Sequence, residues 1–98
     1  MSRRRKPKTE THHAYVMVQI NCPEGHHVGR VVRQLGQDMM ELELIEGPNG
    51  EMKVRAVCAT CRAAGNKSNP QISWARLARM LDDLENNPTE YKATITTP

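Results

Sequence analysis

Four side chains in this 98-residue chain are of the types that hold a soft divalent metal. Cys22 and His26 stand in the run Cys22-Pro23-Glu24-Gly25-His26-His27, and Cys58 and Cys61 in the run Cys58-Ala59-Thr60-Cys61. These two turns contain all three cysteines and two of the four histidines of the sequence. Zinc takes four nitrogen or sulfur ligands at about 2.0 to 2.3 Å, so two tight pairs from distant parts of a chain can close one tetrahedral site. Two residues between Cys58 and Cys61 let both thiolates converge on one ion while the backbone turns around it. The same spacing in redox sites usually opens a helix within a βαβ unit, and no such unit is legible around this one. Pro23 and Gly25 suit a tight turn between Cys22 and His26. The predicted cofactor is Zn2+, held by Cys22, His26, Cys58 and Cys61, with His27 as the alternative to His26.

A complete set of four protein ligands points to a structural ion, because a catalytic zinc keeps one position for water. With every cysteine assigned to metal, none remains as a nucleophile. An enzyme is therefore not expected, nor a small-molecule substrate.

With the two knuckles placed, residues 22–62 resemble the zinc-ribbon family: a metal knuckle between the first strands, more β-strand, then a second knuckle. "CPEGHHVGRVV" followed by "VRAVCATCR" is most similar to small bacterial and phage zinc ribbons, and more loosely to the Com-type regulators of phages. The resemblance covers under half the chain. It departs from the common pattern in having Cys-x-x-x-His where most ribbons have Cys-x-x-Cys. It implies binding rather than catalysis, often of nucleic acid and sometimes of protein.

The elements that must carry these turns are short. Residues 14–21 alternate Tyr15, Met17 and Gln19 against Val16, Val18 and Ile20, the period of a half-buried strand. Residues 28–35 fit either a helical stripe or a strand, and their β-branched residues with nearby glycines favour the strand, with a turn at Gly36-Gln37-Asp38. Further on, Met40, Leu42 and Leu44 alternate with Glu41, Glu43 and Ile45 on one side of Gly47-Pro48-Asn49-Gly50. Met52, Val54 and Ala56 alternate with Lys53, Arg55 and Val57 on the other. A three-residue loop with Gly50 in the left-handed region pairs Leu44 with Val54, Leu42 with Ala56 and Glu43 with Arg55, keeping the two faces unmixed. Residues 63–72 read as a polar loop and 73–87 as the one clear helix. Ser73 is its N-cap, Ile72 and Leu77 are the staple, and Trp74, Leu77, Ala78, Leu81 and Leu84 form its apolar stripe. Residues 88–98 read as a loose tail or an edge strand. The expected fold is α+β: a small antiparallel zinc-ribbon sheet over residues 14–62, followed by one C-terminal helix packed on it.

The formal charge of +3 is unevenly spread. Residues 1–13 carry Arg3, Arg4, Arg5, Lys6 and Lys8 against Glu10, a net of +4, which leaves −1 for everything after them. Such a block of like charge without apolar periodicity is expected to be a disordered arm, able to lie along a phosphate backbone. Arg30, Arg33, Lys53 and Arg62, with Arg55 partly answered by Glu43, are the other predicted nucleic-acid contacts. The leading expectation is thus a small nucleic-acid-associated, transcription-linked protein. The alternative is a protein-binding adaptor docking on a larger machine through Trp74 or the acidic end of the helix. Three cysteines suit a reducing compartment better than a disulfide framework. With no signal peptide and no apolar run of membrane-spanning length, a cytoplasmic location without membrane partners is expected.

Overall fold

Residues 13–98 are described by the computed structural model, and within them seven strands and two helices form two sheets around one main helix. Strand β1, Tyr15–Asn21, buries Val16, Val18 and Ile20 completely, as its alternation requires. It pairs antiparallel with β2, His27–Gln34, so residues 28–34 are strand rather than helix, and Leu35 belongs to the turn. The pairing sets Val18 opposite Val31 and Ile20 opposite Gly29. The turn that follows lies one residue before the predicted position: Leu35 and Gly36 both take positive φ, 54° and 79°. That is the two-residue primed turn whose twist matches the strands it joins, and it leaves Gln37 free to begin β3, Gln37–Met40.

Residues 37–46 do not form one strand. β3 closes the first sheet, of order β3-β2-β1-β7, whereas β4, Glu43–Glu46, opens a second, of order β4-β5-β6. Between them Leu42 crosses over Gly29, where a Cβ would stand 2.6 Å from the Leu42 Cδ2 atom. The absence of a side chain at Gly29 makes room for the Leu42 side chain where the chain passes from one sheet to the other. β5, Met52–Arg55, pairs with β4 in the predicted register, Leu44 opposite Val54 and Glu43 opposite Arg55. Gly50 has φ +84° and donates its N–H to the Gly47 carbonyl at 3.0 Å.

Two parts of the expected layout change. The predicted loop 63–72 is bounded by structure: helix α1, Ala59–Ala63, precedes it and β6, Gln71–Ser73, takes its end. β6 is only three residues long, too short to show a period, yet it buries Ile72 beside Val54 and completes the second sheet. The tail forms β7, Lys92–Thr96, an edge strand running parallel to β1 with Val18 opposite Ala93 and Ile20 opposite Ile95. The single antiparallel ribbon sheet thus becomes two sheets, one of them mixed.

Helix α2, Trp74–Glu85, connects them. The Ser73 hydroxyl accepts the Arg76 N–H at 3.4 Å, and the staple residues Ile72 and Leu77 are both buried. Leu77, Leu81 and Leu84 share one core with Val16, Val18, Ile20 and Val31 of the first sheet and Val54 and Ile72 of the second. Full burial of a leucine contributes about 2 kcal/mol. That burial outweighs charges set against the helix dipole, for no acid stands in the first turn and no base in the last.

Candidate metal centre

The first half of the site is built by the β1–β2 connection. Gly25 N–H bonds back to the Cys22 carbonyl at 2.9 Å, Gly25 takes φ +88°, and His26 N–H then points at the Cys22 sulfur at 3.3 Å. Proline after Cys22 and glycine before His26 thus make a turn that wraps amides around a sulfur. The second half follows β5. Cys58 is the N-cap of α1, its sulfur accepting the Cys61 N–H at 3.4 Å, so Cys61 falls on the first turn facing the same point. The Cys-x-x-Cys run does open a helix, but one of five residues and outside any βαβ unit. That helix ends in a Schellman motif: Gly65, at φ +100°, donates to Arg62 and Asn66 donates to Cys61, both at 3.0 Å.

The four donor atoms of Cys22, His26, Cys58 and Cys61 all lie within 4.8 Å of one another. His26 Nδ1 is 3.3 Å from Cys22 Sγ, 3.7 Å from Cys58 Sγ and 3.5 Å from Cys61 Sγ, and the Cys22 and Cys61 sulfurs are 3.7 Å apart. A tetrahedron around zinc with Zn–S near 2.3 Å and Zn–N near 2.05 Å has edges of about 3.8 Å between sulfurs and about 3.6 Å from sulfur to nitrogen. The cluster has those dimensions, and its sulfurs are far too distant for a disulfide. It is a Cys3His group able to hold a metal ion such as zinc. His27, the alternative ligand, points elsewhere, its Nε2 3.9 Å from Glu41.

The thiols are not equivalent. Burial opposes ionisation of Cys22, but the amides of His26 and Glu24 and the neighbouring thiols of Cys61 and Cys58 stabilise its thiolate and bring it down to about 7. Burial, reinforced by hydrogen bonds to Cys22 and Cys58 and by their charge, pushes Cys61 up to about 12. A bound cation removes that repulsion, which is how such a cluster stores three sulfurs side by side.

The predicted basic contacts fare differently. Arg33 is a structural hub. Its side chain is only 13% exposed, and it bonds to Asp38 at 2.7 Å, to Asp82, and to Glu85 at 3.2 Å. Asp38 above all holds its guanidinium protonated far above the ordinary range. Standing at the C-terminal end of α2, it also supplies the cation that the helix itself lacks there. Arg30 pairs with Glu41 at 3.1 Å, Lys53 with Glu51 at 3.8 Å and Arg55 with Glu43 at 3.1 Å, while Arg62 donates to the Ser68 carbonyl. Trp74 is half-buried against the shared core. Arg3, Arg4, Arg5, Lys6 and Lys8 lie outside the described residues.

Beside the centre is a cavity of about 180 Å³ between Arg62, Asn66, Ser68 and the final residues Thr97 and Pro98. Thr97 reaches it because its N–H bonds to the Asn21 carbonyl, at the residue just before Cys22. No local pattern announces that neighbour, since parallel pairing of β7 with β1 joins residues 75 positions apart. No family model, curated protein or solved structure matches this chain. No described helix is long and apolar enough to cross a membrane.

Proposed function

We propose that this is a small zinc-ribbon-type protein of bacterial or phage character that associates with nucleic acid, in a role linked to transcription, with zinc as a structural ion. The observation that carries the reading is the separation of charge. Five cations precede His13, whereas the domain behind them sums to −1 and holds Arg30, Arg33, Lys53 and Arg55, four of its nine cations, in ion pairs. A domain built this way presents its net positive charge through the arm, and phosphate is the partner such an arm suits. Four protein ligands around the ion leave no position for water, so the metal supplies rigidity and not catalysis. An adaptor reading centred on Trp74 has less to stand on, because that ring is spent on the core.

The test is the salt dependence of binding to a duplex, measured with the full chain and with residues 1–12 removed. Each phosphate contact contributes about −0.9 to the log-log slope. The full chain is expected to bind with a slope near −4, and the truncated chain to lose most of both affinity and slope. Equal binding by the two proteins would remove the arm from the mechanism, and no binding of duplex or single strand at low salt would end the reading.

A further inference from the structure

The two tyrosines of the chain, 76 residues apart in sequence, meet where β1 and β7 begin, with ring centroids 6.2 Å apart and ring planes tilted by 54°. Both are open to solvent, Tyr15 at 39% and Tyr91 at 48%. They stand together because β1 and β7 are parallel neighbours and Met17 N–H bonds to the Tyr91 carbonyl. Strand register carries the face of Tyr15 onward. Met17 lies beside Lys92 and Val32, and Gln19 lies beside Thr94 and Arg30. Next to Tyr15 a shallow depression of about 300 Å³ runs over Val32, Gln34 and Met39 to Arg30 and Glu41. Tyr15, Gln19, Arg30 and Lys92 therefore share one face, and Tyr91 stands beside Tyr15 at its end.

We infer that this face is a stacking platform for single-stranded nucleic acid, with Tyr15 and Tyr91 receiving bases and Lys92 meeting phosphate; the inference rests on the nucleic-acid reading above and says where and in what form that ligand binds. The charge that selects the occupant comes from the chain ahead of His13, because on the face itself Arg30 is engaged at 3.1 Å by Glu41, just past β3, and Lys92 is offset by Glu90. The arm joins the domain at the same place, for the His13 ring lies 6.3 Å from Tyr91 and five cations precede it within the sequence. A strand of nucleic acid offers what this surface complements, flat π-faces strung on a polyanion. A duplex hides those faces.

The experiment measures fluorescence anisotropy of a labelled oligouridylate and of a duplex of matching length against the full chain. The single strand is expected to bind more tightly. Tyr15→Leu and Tyr91→Leu are each expected to weaken it about tenfold, and the pair about a hundredfold. The salt slope stays unchanged, because no phosphate contact is removed. Tyr91→Phe keeps the ring and is expected to bind within about twofold of the parent, and Leu44→Ser, on the other sheet, is expected to bind as the parent does. Thermal unfolding of each variant separates lost stacking from lost fold. Parent-like binding by the double variant overturns the platform while the nucleic-acid reading stands, as does a Tyr91→Phe loss equal to that of Tyr91→Leu. No binding of any oligonucleotide at low salt overturns both. If, in that case, the parent sediments as a dimer that the leucine variants dissolve, the occupant is a second copy of this chain.

Discussion

The two sheets differ in what holds them. The first has strands of seven and eight residues at its centre and buries Val16, Met17, Val18, Ile20 and Val31. The second has strands of four, four and three residues and buries only Val54 and Ile72. Each contributes one half of the metal centre: Cys22 and His26 come from the turn of the well-packed sheet, Cys58 and Cys61 from the chain leaving the thin one. An ion held there would do unequal work on its two sides: for the first sheet it would add to a large share of the core, and for the second it would reinforce strands that contribute only Val54 and Ile72 to it.

The largest effect follows from removing that link. Structural zinc contributes on the order of 10 to 16 kcal/mol in small peptides at neutral pH, comparable with the whole stability of an ordinary domain, about 5 to 15 kcal/mol. Cys58→Ser, or chelation of the parent, is expected to expose the amides of β4, β5 and β6 to hydrogen exchange while those of β1 and β2 stay protected. Uniform loss across both sheets would break the comparison, and full protection of both would remove the metal from the account.

Protons compete for the same site, and the sign follows from the thiols. Cys22, brought down to about 7 by the amides and thiols around it, is the easier of the two to ionise, whereas Cys61, pushed up to about 12, keeps its proton near neutrality. Binding needs thiolates, so uptake releases the Cys61 proton at any pH well below 12 and the Cys22 proton as well below about 7. Apparent affinity is expected to rise at least tenfold per pH unit above neutrality and more steeply below it. Competition titrations with a chromophoric chelator at several pH values check this, and a flat profile would show that the thiols are already ionised.

Next in size is Arg33, which ties the first sheet to the end of α2. Arg33→Gln leaves Asp38, Asp82 and Glu85 without their cation, and is expected to cost about 2 kcal/mol, less than a fully buried pair because Asp82 is 63% exposed. Asp82→Asn alone is expected to cost under about 0.5 kcal/mol. Equal costs would mean that Arg33 acts through Asp82 rather than through its two less exposed partners.

How much of this was legible depended on the range of the interaction. The ligands, the β4–β5 register and Gly50 are set by residues close together, and types and spacing announce them. The break after Met40 could not be read, because alternation continues through Glu41 and Leu42, and the close seat of Leu42 over Gly29 lies in another strand. Arg33 read as a free cation because its partners lie 5, 49 and 52 residues onward. The meeting of Tyr15 with Tyr91 was hidden for the same reason, since it depends on a parallel pairing across most of the chain.

The smallest effects test the comparison most finely, because each sheet carries a tight turn away from the ligands. Leu35 takes φ 54° with its side chain 79% exposed, so it bears the strain of a left-handed residue with little burial in return. Such strain is about 1 to 2 kcal/mol for an ordinary side chain, and asparagine tolerates the conformation better. Leu35→Asn, giving the Asn-Gly pair that this turn favours, is expected to stabilise by about 0.7 kcal/mol, roughly 4 °C in midpoint. In the second sheet Gly50 has φ +84° and open space, a Cβ meeting nothing nearer than Glu46 Oε2 at 3.8 Å. Gly50→Ala is therefore expected to cost about 1 kcal/mol through backbone strain alone. The two changes part company when the metal is stripped. The first sheet keeps its core, so the Leu35→Asn gain persists. The second has already come apart, so Gly50→Ala no longer alters the unfolding midpoint. If Gly50→Ala costs the same with and without zinc, the second sheet folds on its own and the metal is an ornament on both.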